Sequence, residues 1–257
     1  MEIIAITAQK GGVGKTTTAS AIGAGLRLRG YRVLFIDLDP QGNLTYTLRA
    51  NEQSYNALGV LEKPGTIKKE IQTTEAGAIL ASTPLLVQAD RTITQVGKEY
   101  RLKEALALLK DDYDYCIIDT PPALSILTIN ALTACSCVII PAQADIYSLQ
   151  GISQLNSTIE TVKKYCNPDL YIKGILITRY NQRIIIRREA TNMLENTAKE
   201  LNTKVFKSKI REATALVEAQ ALRQNIFDYA PGSNASKDYK KLIDEILEVK
   251  TNGKKKI

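Results

Sequence analysis

The string Lys10-Gly11-Gly12-Val13-Gly14-Lys15-Thr16-Thr17 constrains this chain more than any other feature. It follows an apolar run, Glu2–Ala8, and opens a helical pattern, Lys15–Arg29, that stops at Gly30. A strand, a glycine-rich turn and a helix in that order are the context a phosphate-binding P-loop requires. The glycines let successive backbone N–H groups turn inward as an anion nest, and the helix N-terminus adds the positive end of its dipole. The eight residues are therefore the expected nucleotide cradle. Lys15 is expected to reach the β- and γ-phosphates, and Thr16 to ligate Mg²⁺.

Other apolar runs give the loop a scaffold. Arg32–Asp37, Tyr115–Asp119, Cys137–Pro141 and Tyr171–Thr178 read as buried strands; Ile79–Ala81 and Val205–Ile210 read as further strands. Helical patterns occupy Leu102–Lys110, Gln150–Tyr165, Arg188–Leu201, Ala213–Arg223 and Ser236–Val249, with another expected between Asp119 and Cys137. Asn51–Gly77 is polar and shows no period. Continuous apolar strands separated by helices imply an α/β fold of the P-loop NTPase type, with a mostly parallel central sheet and helices on both faces. At 257 residues, with no internal repeat and no long linker, one domain spanning 1–257 is expected.

Ligands of such sheets sit beyond the carboxyl ends of the strands. Asp37 and Asp39 end one strand and Asp119 closes another. An unpaired carboxylate closing an apolar strand is expensive, and Mg²⁺ reached through water explains Asp119. Asp37 is expected to support the same ion. Taken singly, each aspartate also fits a helix cap or a turn.

Composition removes several chemistries. The chain has no histidine, so histidine triads, ligands and general bases are excluded. Cys116, Cys135, Cys137 and Cys166 form no CxxC pair and read as core thiols. No secretory signal and no apolar run of roughly 18 residues is present, which points to a reducing, cytoplasmic compartment. Net charge is +7 and uneven: positions 171–257 hold 18 Lys and Arg against 10 Asp and Glu, leaving 16 against 17 for the rest of the 34 and 27. A basic back half suggests a polyanionic partner; a solvated face is the plain alternative.

The loop departs from G-x-x-x-x-G-K-T at Gln9, and Lys10 supplies a second lysine. In this it resembles the deviant loop of the ParA/MinD group of ATPases. Val33-Leu34-Phe35-Ile36-Asp37-Leu38-Asp39-Pro40-Gln41-Gly42-Asn43 is similar to the second signature of ParA/Soj-type proteins. Tyr115–Pro122 is similar to their Walker B strand, and Ile139–Gln143 to their fourth block. Tyr229-Ala230-Pro231 and Ser236-Lys237-Asp238-Tyr239 are ParA-like as well, while positions 50–100 contribute little.

The resemblance implies a partitioning ATPase with ATP and Mg²⁺ as cofactors. Lys10 matches the lysine that reaches across a homodimer to the partner's nucleotide, giving a sandwich of two chains around two nucleotides. A second cation beside Lys15 is costly unless a polyphosphate lies between them. Asp39 matches the residue that orients the attacking water. Lys10, Lys15 and Asp39 are thus the expected catalytic set, and Thr16, Asp37 and Asp119 the Mg²⁺ set. Without a strong general base, slow hydrolysis is expected. The ATP-bound dimer is expected to bind DNA nonspecifically, to associate with the nucleoid, and to be released when a ParB-like centromere-binding protein stimulates hydrolysis. The chain resembles the short type, which carries no operator-binding domain.

Basic residues follow one strand end: Arg179, Arg183, Arg187 and Arg188. Lys204, Lys207, Lys209 and Arg211 form a second group and Lys254–Lys256 a third. Such scattered cations suit phosphate contact. Arg183 lies where ParA relatives place a DNA-contacting arginine. A second falls near Ala215, so that contact is absent or moved to Arg211. The rival is a MinD-like membrane-associated positioner, or a ParA-like positioner of protein cargo. Tyr239, Leu242, Ile243, Ile246 and Leu247 do form an apolar stripe, but Asp244, Glu245 and Glu248 interrupt it, so a core-packing helix and no stable membrane association are expected. A kinase would need an acceptor pocket, for which no residues are defined. An iron–sulfur reductase would need bridging cysteines, and Cys135-Ser-Cys137 has the wrong spacing.

Overall fold

Isoleucine and valine dominate the strands that build the centre of the molecule, as a pleated surface covered on both faces demands. The computed structural model describes residues 1–51, 56–181 and 186–253, the side chains of 186–188 and 248–253 excepted. In chain order the elements are β1 (Glu2–Ile6), α1 (Lys15–Arg27), β2 (Val33–Asp37), α2 (Asn43–Thr47), α3 (Ala57–Glu62), α4 (Ile67–Glu70), β3 (Gln72–Thr74), β4 (Gly77–Leu80), α5 (Ala89–Thr92) and α6 (Arg101–Ala107). They continue with β5 (Tyr115–Asp119), α7 (Ile126–Ala134), β6 (Cys137–Ala142), α8 (Ile146–Tyr165), β7 (Tyr171–Ile177), α9 (Ile186–Glu200), α10 (Thr214–Ala221), α11 (Ile226–Tyr229) and α12 (Asn234–Gly253).

The sheet runs β3-β4-β2-β5-β1-β6-β7. Every pairing is parallel except the β3–β4 hairpin. Alternation then sorts the core. Val33, Phe35, Tyr115 and Ile117 join the cluster under α1 and α12. Leu34, Ile36, Cys116 and Ile118 join the cluster on the opposite face, with residues of α6, α7 and α8. The α/β class with helices on both faces is the one expected. On the first face α12 lies hard against α1: a Cβ at Gly25 would collide with Ile243. Tyr239, Leu242, Ile243 and Ile246 are buried there. The apolar stripe of α12 is thus used inside the protein.

Two expectations change. Val205–Ile210 is not a strand. It meets the β7 edge in an isolated bridge, Ile175 to Val205, and through the Ile210 N–H, which donates to the Ile177 carbonyl at 2.9 Å; Arg211, just after it, bridges Tyr180 beyond β7. The Glu245 carboxylate on α12 accepts from the Lys207 and Ser208 N–H groups at 3.1 and 3.2 Å, taking two donors a ladder would need. The polar stretch before Gly77 contains α3, α4 and β3. These elements have three to six residues, too short to display a period.

Candidate nucleotide site

The parallel register brings the carboxyl ends of β1, β2 and β5 side by side, pairing Ile6 with Asp119 and Asp37 with Asp119. The turn after β1 bends through Gly12 and Gly14 at φ 72° and 88°, left-handed positions where a side chain would be strained. Gly14 caps α1 without a side-chain bond, and the first turn carries no acid. The N–H groups of that turn have no helical acceptor. They face a cavity of about 500 Å³ lined by Gly11, Gly12, Gly14, Lys15, Thr16 and Asp39, among others. Thr178 steadies the loop by donating to the Val13 carbonyl at 2.8 Å.

Charge at this edge is concentrated and buried. Lys15 is 7% exposed and donates to the Lys10 carbonyl at 3.4 Å. Burial lowers its ammonium from the ordinary value, while the Asp119 and Asp39 charges work the other way. Asp37 and Asp119 are neighbours with opposite fates. Asp37 accepts from the Thr45 N–H and hydroxyl, each at 2.8 Å, and from the Asp39 N–H at 3.1 Å. Burial still pushes its carboxyl up to about 7 against those bonds. Asp119 is fully buried, and neither of its carboxylate oxygens has a hydrogen-bond partner. Burial first, and then Asp37, hold it well above the ordinary range; Thr16 and Lys15 oppose them. Asp39 lines the cavity and accepts from the Gln41 N–H at 3.0 Å.

Orphaned buried carboxylate oxygens near a hydroxyl fit Mg²⁺, which keeps several waters and takes one or two carboxylates together with substrate phosphates. Thr16 and Asp119 could hold it, with Asp37 behind them. Among the described residues no group of three or more His, Cys, Asp or Glu could hold a metal without such phosphates.

Lys10 points elsewhere. Its ammonium lies 2.5 Å from Asp145 and 3.4 Å from Gln143, with the Tyr147 ring 5.9 Å away. Asp145 caps α8, accepting from the Ser148 N–H at 2.8 Å. Burial opposes its charge, but Lys10 and Ser148 together hold the carboxyl below its ordinary value. Neither Asp145 nor the cavity residues Tyr46 and Gln220 were signalled as site residues by the sequence. An aspartate directly before a helix was the available cue for Asp145.

The predicted DNA contacts are less assembled. Arg183 lies outside the described residues. Arg187 and Arg188 fall in the first turn of α9, and their side chains lie outside as well. The Arg211 guanidinium grips Asp238 with two bonds, at 2.9 and 2.6 Å, which raises its pKa.

Comparison with known proteins agrees with this geometry. A family profile described as AAA domain matches residues 1–172. Sporulation initiation inhibitor protein Soj of Bacillus subtilis is 39% identical over 98% of this chain and 99% of its own length. Chromosome-partitioning ATPase Soj of Thermus thermophilus is 37% identical over 95% of this chain and 94% of its own. The chain belongs to the Soj/ParA family of ATPases. Among solved structures, cobyrinic acid a,c-diamide synthase from Mycobacterium smegmatis, with bound ATP analogue and magnesium, superposes with a TM-score of 0.84. It is 33% identical, over 98% of this chain and 97% of that one. As a Soj/ParA-type ATPase the chain uses ATP and Mg²⁺. Among the described residues no helix is long and apolar enough to cross a membrane.

Proposed function

We propose that this ATPase partitions DNA as an ATP-switched homodimer, working as one domain across residues 1–257. The observation that carries the reading is Lys10. Its ammonium leaves the cavity built by its own P-loop and is held at the molecular surface by Asp145. A lysine so placed is available to a second copy's nucleotide once Asp145 releases it.

Bound ATP supplies the anhydride bond that is cleaved, and Mg²⁺ supplies charge neutralisation. The chain's own groups do the positioning, which is most of what phosphoryl transfer needs. The amides from Gly11 to Thr17 and the Lys15 ammonium hold the phosphates. Asp39, buried at the cavity wall, orients the attacking water. Thr16 and Asp119, backed by Asp37, hold the metal. With no stronger base present, turnover is slow until a ParB-like partner stimulates it.

The dimer doubles a weak basic face and so gains avidity without new contacts. Arg183, Arg187, Arg188 and Arg211 are the proposed phosphate contacts, Arg211 being braced by Asp238. This would place the ATP-bound form on the nucleoid. The test is retention on random-sequence DNA with ADP, with ATP and Mg²⁺, or with no nucleotide, at low and high salt. Retention is expected only with ATP and Mg²⁺, to collapse in high salt, and to weaken in Arg183→Glu while dimerisation persists. Retention independent of nucleotide, or none in any condition, would sink the DNA reading and direct the search to protein cargo.

A further inference from the structure

α10 rests over the nucleotide cavity on a small apolar footing, with Ala215 and Leu216 partly buried against the core. Of its eight residues only Ala219 is buried; Val217 is 68% exposed, and Leu222 just beyond is 54% exposed. Yet Val217, Gln220 and Ala221 form part of the cavity wall, together with Asn43, Tyr46 and Thr47 of α2. A helix this short does not hold itself in water, so its small apolar contact and its side-chain ties together keep it in place.

The ties on the α2 side are reciprocal. Arg223, just past the end of α10, lays its guanidinium over the Tyr46 ring of α2, 3.7 Å from the centroid. Arg49, just past the end of α2, reaches the Leu222 carbonyl at the end of α10 through a long 3.5 Å bond. Both arginines adopt left-handed backbone, φ 53° and 59°. That position after a helix is ordinarily filled by glycine. Strained arginines at two facing helix ends, each reaching to the other helix, are better explained by their side chains than by their backbones.

The stack also sits on a boundary. Tyr46 lines the 500 Å³ nucleotide cavity, while Arg49 and Arg223 line a separate groove of about 720 Å³ on the outside. The arginine–tyrosine pair is thus part of the partition between them. Elsewhere α10 is tied by Gln220 to Thr17 at 2.8 Å and by Glu218 to Tyr229 at 3.0 Å.

We propose that Arg223 on Tyr46, braced by Arg49, is a clasp that keeps α10 closed beside bound nucleotide and sets how long the nucleotide stays. Arg223 is a positioning residue that acts through Tyr46 and α10. The inference rests on the nucleotide occupying the P-loop cavity. Stacking of an exposed guanidinium on an aromatic ring corresponds to roughly a two- to five-fold change in a rate constant.

The experiment is stopped-flow displacement of a fluorescent ADP and a fluorescent ATP analogue, with Mg²⁺, from the full chain. Arg223→Ala and Tyr46→Ala are expected to speed dissociation about two- to five-fold, and the double variant less than the product of the two. Tyr46→Phe keeps the ring and should release at the wild-type rate. Arg223→Gly separates the clasp from a merely structural role. Glycine relieves the left-handed strain, so the melting temperature should hold or rise while dissociation still accelerates. Unchanged dissociation in both Arg223→Ala and Arg223→Gly, or strictly multiplicative effects in the double variant, would overturn the clasp alone. A wild-type chain that binds neither nucleotide would overturn the cavity assignment and the clasp with it.

Discussion

The centre of the sheet's carboxyl edge and its flanks hold charge by opposite means. At the centre, Lys15, Asp37, Asp39 and Asp119 are all less than a tenth exposed. Their geometry is fixed by strand register and by a loop that can turn only through glycine. On the flanks, Lys10 with Asp145 and Arg223 with Tyr46 are partly in solvent, and their geometry is set by side-chain contacts rather than by strand register. Burial makes the central charges strong and hard to satisfy without a ligand. Exposure makes the flanking pairs weak and easily exchanged. The centre therefore suits polyphosphate and metal, as proposed above, and the flanks suit reversible contacts.

The largest effect that could break this contrast is at Lys15. Lys15→Ala removes a buried cation from the cradle, and a loss of roughly 2–5 kcal/mol is expected, about thirty-fold or more in nucleotide affinity. Calorimetric titration with ATP and Mg²⁺ measures it; near-normal affinity would mean the centre does not depend on its charge.

Asp37 and Asp119 come next. Both bind protons more readily folded than unfolded, Asp37 up to about 7. From the ordinary carboxylate range up to that value the folded chain holds more protons, so stability must fall as pH rises through this window. The contribution of these two groups should make the nucleotide-free protein melt at a higher temperature at pH 5 than at pH 7.5. Asp119→Asn should flatten that slope and raise the pH 7.5 melting temperature by roughly 2–10 °C, given about 1–3 kcal/mol for an unpartnered buried group. The same variant should lose stabilisation by Mg²⁺ with ATP. Calorimetric scans at the two pH values check both; an unchanged slope would show that Asp119 is not the strained charge.

Asp145 gives the smallest effect and sharpens the flank side of the contrast. Asp145→Asn frees Lys10 from a pair about 30% exposed. ATP-dependent dimerisation, followed by sedimentation velocity, should strengthen about two- to five-fold. Weaker dimerisation would assign Asp145 to the interface and not to a latch.

Legibility followed the same divide. The P-loop, the acids ending β2 and β5, and the α/β class were readable because a parallel sheet writes itself as apolar runs and a P-loop as glycines at fixed spacing. The strand expected at Val205–Ile210 was misread because two of its amides, those of Lys207 and Ser208, go to Glu245 of α12, a contact distant in sequence. Tyr46, Gln220 and Arg223 gave no signal, since their place comes from which surfaces α2 and α10 present to one cavity.

What the sequence by itself determined is local: a strand, a glycine turn and a helix start suited to phosphate, and carboxylates at strand ends. Only the tertiary structure decided which of two adjacent aspartates is satisfied and which is left bare. It also decided that Lys10 turns away from its own cavity, and that two arginines close the wall beside it. The physical reason is that hydrogen-bond satisfaction and burial are properties of the neighbours a residue acquires on folding. Phosphate binding by a glycine turn is a property of the backbone the sequence already dictates.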